Sequence, residues 1–162
     1  MWSLTKNLCP ESVWAKAPLS NRKKVLEALS NQLVIDQDDV AKSIIFQGLL
    51  HREKLGSTGI GKGIAIPHSR FKNITQPYLS IITTAAPIDF DSPDKRPVDI
   101  FIGLAVPQEA DETHLNLLAQ LTELLRQPEF CQALRDSQSN ETLYNTALMA
   151  TVMHSDNDNA TD

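Results

Sequence analysis

Apolar residues recur directly after Ser20-Asn21, where Val25, Leu26, Leu29, Leu33 and Ile35 fall mostly at helical spacing behind a good capping residue. The pattern predicts an amphipathic helix. A second helix is predicted from Gln37 or Asp38 to about Lys54, carrying Val40, Ile44, Ile45, Leu49 and Leu50, with Gly56 where a C-terminal signal belongs. The period then changes. GIAIP (63–67), YLSIITTAA (78–86), a short IDF (88–90) and, after a D-S-P-D turn, PVDIFIGLAVP (97–107) read as strands. The last is too apolar for a half-exposed strand and is expected at the centre of a sheet. Helices follow at 111–126, with Leu115, Leu118, Leu121, Leu124 and Leu125, at 128–136, and from Ser139-Asn140 to about Met153. Neither a repeat nor a linker interrupts this order. The expected architecture is one α/β domain, residues 1–154, with a mixed, roughly five-stranded sheet flanked by helices, followed by a disordered polar tail at 155–162.

The 162 residues suffice for a core without staples. A formal net charge of −5 argues against a nucleic-acid partner. No apolar run approaches the roughly 18 residues a membrane span needs, so direct membrane insertion is not expected. Cys9 and Cys131 match no metal or redox spacing, and the first twenty residues hold no apolar signal-peptide core. A reduced, cytoplasmic protein is the expectation.

The stretch GSTGIGKG (56–63) comes close to a phosphate-binding P-loop, but Gly63 stands where a Ser or Thr would hold magnesium. A P-loop also leaves a strand and enters a helix, whereas this stretch leaves a helix and enters GIAIP. Its glycines therefore read as turn residues. They deliver His68, just after Pro67 at the end of a short strand. A single histidine there is more often a hydrogen-bonded surface residue, so His68 alone leaves catalysis open. Three residues inside the 111–126 helix, His114 is spaced to face its buried side, and Arg52 ends the helix before the glycine loop. Each also has an ordinary reading, as a core-edge histidine and as a solvated helix end. His51 and His154 lack such context. No H-x-x-x-H or H-x-E spacing supports a metal. A phosphoryl-transfer site, by contrast, needs a neutral imidazole, a cation and N–H donors, and no cofactor.

The run REKLGSTGIGKGIAIPH (52–68), with PIDFDSPDKRPVDIFIGLAVP (87–107) and ETHLNLLAQL (112–121), resembles the EIIA domain of the fructose/mannitol type in the bacterial phosphotransferase system. The likeness covers roughly residues 3–152 and is strongest to the nitrogen-regulatory branch. It implies that His68 is phosphorylated, that His114 assists the phosphate and that Arg52 lies beside it. It also implies a phosphorylated HPr-like carrier as donor, and potassium transporters or sensor kinases as regulatory targets. Two positions depart from that branch: Lys62 replaces the usual Asn, and Ser69 replaces the Gly that commonly follows the histidine.

The expected function is a regulatory phosphocarrier in nitrogen and potassium control, independent of ATP. One alternative is a sugar-system EIIA for fructose or mannitol that feeds a separate EIIB. Neither cysteine sits in an EIIB-type loop, and the chain shows no second domain, which favours regulation. A binding module with a decayed site and a nucleotide-binding enzyme are the weaker alternatives.

Overall fold

The computed structural model describes residues 4–34, 39–72, 74–109 and 112–159. Helix α1 (Leu4–Asn7) leads to strand β1 (Val13–Ala17), then α2 (Arg22–Leu33) and α3 (Asp39–Leu55). Three short strands follow, β2 (Gly59–Gly61), β3 (Ile64–Ala65) and β4 (His68–Phe71), before the long β5 (Tyr78–Ile88) and β6 (Val98–Pro107). Helices α4 (Glu112–Leu125), α5 (Pro128–Asp136) and α6 (Asn140–Asn159) complete the order.

The strands form one mixed sheet in the order β1-β5-β6-β3-β2, with β4 also on β6. Both β3 and β4 run parallel to β6 in a single register, Ile64 opposite Ile100, Ala65 opposite Phe101 and His68 opposite Leu104. They are one strand interrupted at Ile66-Pro67, so the described strands form five ribbons. Proline lacks the N–H that a continuous ladder would use, yet the Pro67 carbonyl still accepts from Leu104 N–H at 2.9 Å and keeps the register.

β6 is central, as its composition requires. Ile100, Ile102, Leu104 and Val106 enter one core with Leu117, Leu121 and Leu134 from α4 and α5. Phe101 and Ala105 enter the other, with Leu26 and Leu29 of α2 and Ile45 and Leu49 of α3. A strand covered on both faces reads as a continuous apolar run. Gly103 lets α2 come close, because a Cβ there would lie 2.9 Å from Leu29 Cδ2.

Several expectations need correction. The predicted strand 78–86 runs on to Ile88 as β5, with an irregular register between Thr83 and Ile88 that tolerates Pro87, and Asp89 and Phe90 of the predicted 88–90 strand lie outside it. β1 was not expected; it pairs in parallel with β5, Val13 opposite Ile81, Trp14 opposite Ile82 and, past an irregularity, Ala17 opposite Thr84. In α4 the buried row is Leu117, Leu121, Leu124 and Leu125, whereas Leu115 is 63% exposed. In α3, Val40 and Ile44 are exposed and Ile45 and Leu49 are buried. The helix starting points Gln37 and Asp38, and Ile35, lie outside the described residues. α6 runs on to Asn159, so residues 155–159, expected in the disordered tail, continue the helix. Among the described residues no helix is long and apolar enough to cross a membrane.

Candidate functional site

The glycine stretch forms a tight hairpin. β2 and β3 pair antiparallel around a two-residue connection, Lys62-Gly63, whose φ angles are 58° and 81°. Positive φ at both central residues is what a type I′ hairpin turn needs. The loop amides that would face phosphates in a P-loop are committed elsewhere: Thr58 N–H to Glu53 Oε1, Gly59 N–H to Ser57 Oγ and Lys62 N–H to Asp94 Oδ2. An acidic acceptor at the Lys62 amide is the opposite of a phosphate cradle. The P-loop reading is excluded on geometry as well as on sequence.

The hairpin is tied down at both ends. Arg135 of α5 donates Nη2 to the Lys62 carbonyl and Nε to both oxygens of Asp99. At the other end Glu53, 4% exposed, accepts the Thr58 N–H at 2.9 Å and the Thr58 hydroxyl at 2.7 Å. Burial pushes its carboxyl above the ordinary 4.5; the Thr58 bonds and the positive charges of Arg22 and Arg52 oppose that shift.

His68 opens β4 and does not end a strand, which corrects the sequence expectation. Its partner across the ladder, Leu104, belongs to the core that α4 covers, so His68 belongs to the sheet face toward α4. The ring is half-buried, and Nδ1 lies 2.7 Å from the Ile66 carbonyl oxygen. A carbonyl can only accept, so Nδ1 carries the proton. In the neutral ring, Nε2 then bears the lone pair. Burial lowers the pKa of His68 below 6.5; the Ile66 bond works against this, and the Arg52 charge adds to it. The imidazole is therefore neutral at physiological pH.

Arg52 stands in the last turn of α3, with Nη1 donating to Gly56 O at 2.8 Å, close enough for its charge to act on His68. The charge of Arg52 thus reaches His68, though burial is the larger influence on the ring. His114 falls in the first turn of α4, and its side chain lies outside the described residues. Ser69 pairs with Ala105 in β4 and has no positive φ, so serine there strains nothing. Lys62 is exposed and does occupy the left-handed region, where Asn fits more easily. Sequence reasoning missed Glu53, Asp94, Asp99 and Arg135. A charged residue five positions before a threonine, or at a turn, carries no periodic signal. Among the described residues, no group of three or more His, Cys, Asp or Glu side chains could hold a metal.

Fold and site together define an α/β protein that presents a backbone-anchored histidine on an interrupted strand against the central β6, within the electrostatic reach of an arginine. The chain belongs to the family described as phosphoenolpyruvate-dependent sugar phosphotransferase system, EIIA 2, which matches residues 7–148. It is 38% identical over 144 residues to the nitrogen regulatory protein of Pseudomonas aeruginosa, covering 89% of this chain and 94% of the relative. Its fold superposes on nitrogen regulatory protein IIA-Ntr from Neisseria meningitidis with a TM-score of 0.82 and 31% identity, covering 90% of this chain and 99% of that one. The IIA mannitol protein of Escherichia coli, at TM-score 0.72 and 19% identity over 87% of this chain and 99% of its own, shares the fold.

Proposed function

We propose that this chain is a regulatory phosphocarrier that accepts a phosphoryl group on Nε2 of His68 from the phosphohistidine of an HPr-like carrier. The observation that carries the reading is the 2.7 Å bond from Nδ1 to Ile66 O. It fixes the tautomer in which Nε2 is the nucleophile, before any donor arrives. In the transfer the carrier's N–P bond breaks as the Nε2–P bond forms, and the carrier's imidazole leaves with the electron pair. Positive charge then develops on the His68 ring. The Ile66 carbonyl, already in place at Nδ1–H, interacts more strongly with that charged ring, and so favours the transition state over the ground state.

Arg52 is assigned the phosphoryl oxygens. One guanidinium N–H is anchored on Gly56, which orients the planar fork. His114 is assigned a hydrogen bond to the phosphoryl oxygens or to the imidazole, on its place in the first turn of the helix that covers the His68 face. Kinship with nitrogen regulatory proteins supports a regulatory role over sugar transport, with potassium transporters or sensor kinases as the proposed targets.

Incubation with phosphorylated carrier, followed by intact mass measurement, tests this. One added phosphoryl group, labile to acid, stable to alkali and lost in His68→Ala, is the expected result. An acid-stable phosphate would move the site to a hydroxyl, with Ser57, Thr58 and Ser69 nearest in sequence. Rapid passage of the group to a purified EIIB would restore the sugar-transport reading. For regulation, a target that binds the unphosphorylated form should keep binding His68→Ala and lose His68→Asp, because phosphorylation adds about −1.5 to −2 charges there.

A further inference from the structure

Glu53 is expensive where it stands. It is a buried carboxylate in the last turn of α3, where both desolvation and the helix dipole oppose a negative charge. Surface solubility cannot account for it, since the side chain is 4% exposed. Both of its oxygens are directed at one residue: Oε1 to the Thr58 N–H and Oε2 to the Thr58 hydroxyl, at 2.9 and 2.7 Å. Such a two-point clamp fixes the Thr58 amide and side chain together, and so the placing of the residue against the end of α3.

The clamped residue leads directly to the histidine. The Thr58 carbonyl accepts the Ile66 N–H at 3.0 Å, and the Ile66 carbonyl accepts His68 Nδ1–H at 2.7 Å. Three hydrogen bonds in series therefore join the carboxylate to the imidazole through two residues of backbone. The link is one of position: each bond fixes the placing of the residue that supplies the next. The break in the strand at Pro67 is what makes the link necessary. Ile66 lies in the gap between β3 and β4, beyond the last β3 pair, Ala65 with Phe101. Its amide is held by Thr58, on the hairpin side, which leaves the orientation of the Ile66 residue dependent on how firmly Thr58 is fixed.

We propose that Glu53 is a positioning residue for His68, acting through Thr58 and Ile66 to hold the ring in its Nδ1–H tautomer. The proposal rests on the reading of His68 as the phosphoryl acceptor, but makes a claim about the ring that is measurable without any transfer. Glu53 touches neither phosphate nor carrier in this role. Its loss should slow the transfer step and leave carrier binding unchanged. The side chain's shape matters more than its charge: in Glu53→Gln the amide oxygen still accepts the Thr58 N–H, while the NH₂ donates to the Thr58 hydroxyl, which can accept as well as donate.

The test is ¹⁵N imidazole spectroscopy of the full chain, paired with transfer kinetics from phosphorylated carrier. The unsubstituted protein should show His68 as a single tautomer with the proton on Nδ1. Glu53→Ala should populate the Nε2–H form and lower kcat by about tenfold to a hundredfold with KM for the carrier unchanged. Glu53→Gln should restore both readouts. Thr58→Val, which keeps the N–H bond and removes the hydroxyl, should fall between, and it decides the matter if Glu53→Ala does not fold. A wild-type tautomer and rate in folded Glu53→Ala, or in Thr58→Val where Glu53→Ala is unfolded, overturns the proposal. So does a Glu53→Gln variant as impaired as Glu53→Ala. If instead the unsubstituted chain takes no phosphoryl group while the tautomer still responds to Glu53, the positioning role stands and the phosphocarrier reading fails.

Discussion

Arg135 on α5 and Lys62 at the hairpin tip, 73 residues apart in the chain, are joined by a hydrogen bond of 2.8 Å from Nη2 to the Lys62 carbonyl. The same guanidinium grips Asp99 through Nε at 2.9 Å, so one side chain fastens the turn to the start of β6. Arg135→Ala should destabilise the fold by about 1–2 kcal/mol, through one lost carbonyl bond and one half-buried ion pair. Arg135→Lys should recover part of this, because an ammonium cannot span both acceptors in the guanidinium's fixed geometry. Urea midpoints measure the loss, and hydrogen exchange at β2 and β3 should localise it. Unchanged exchange there would show that the hairpin holds without α5.

Lys62 holds φ at 58°. A non-glycine residue in the left-handed region costs about 1–2 kcal/mol, and Asn tolerates it better than Lys. Lys62→Asn should therefore raise stability by about 0.5–1 kcal/mol, read as a higher urea midpoint at unchanged m. A neutral or lower midpoint would mean that the lysine side chain contributes something its exposure does not suggest.

His68 should titrate below 6.5 when followed by NMR, and Arg52→Met should raise the midpoint only partway, since burial is the larger cause. Stability follows with a defined sign. The folded ring binds a proton less readily than the unfolded one, so its contribution is complete above 6.5 and is lost as pH falls toward the folded value. His68→Ala should flatten that decline. Glu53 acts in the opposite direction: with its folded pKa above 4.5, stability falls as pH rises from 4.5 through that value, and Glu53→Gln should remove this loss. A His68 midpoint at or above 6.5 would contradict the buried, neutral ring.

Gly48 tests packing against propensity. In an exposed helix, Gly→Ala gains about 1 kcal/mol. At Gly48 in α3 the new Cβ would fall 2.4 Å from Cε1 of Phe71, a buried ring of β4. The ring would have to move, and a net loss of about 1–3 kcal/mol is expected from thermal or urea unfolding. Gly56, where a Cβ meets nothing within 4 Å, is the control, and Gly56→Ala should be close to neutral.

Element types and their order were legible because the evidence for them is local. Asn21 caps α2 through Lys24 N–H, as its place before an amphipathic run predicts, and the run Val98–Pro107 is buried along nearly its whole length. Arg52, the glycine stretch and His68 were also within reach, since they lie in one continuous segment whose residue types and turn chemistry can be read in order. Tertiary structure decided the rest. β1 exists because β5, more than sixty residues away, offers it a parallel partner, and five residues carry no distinctive period of their own. The break at Pro67 keeps its register because β6 supplies a continuous ladder beneath it. Which nitrogen of His68 holds the proton, how far Glu53 is buried and what Arg135 fastens all depend on backbone groups brought together by folding. A sequence names the donors and acceptors; their pairing, and the desolvation that gives each pairing its strength, arise only when the chain is packed.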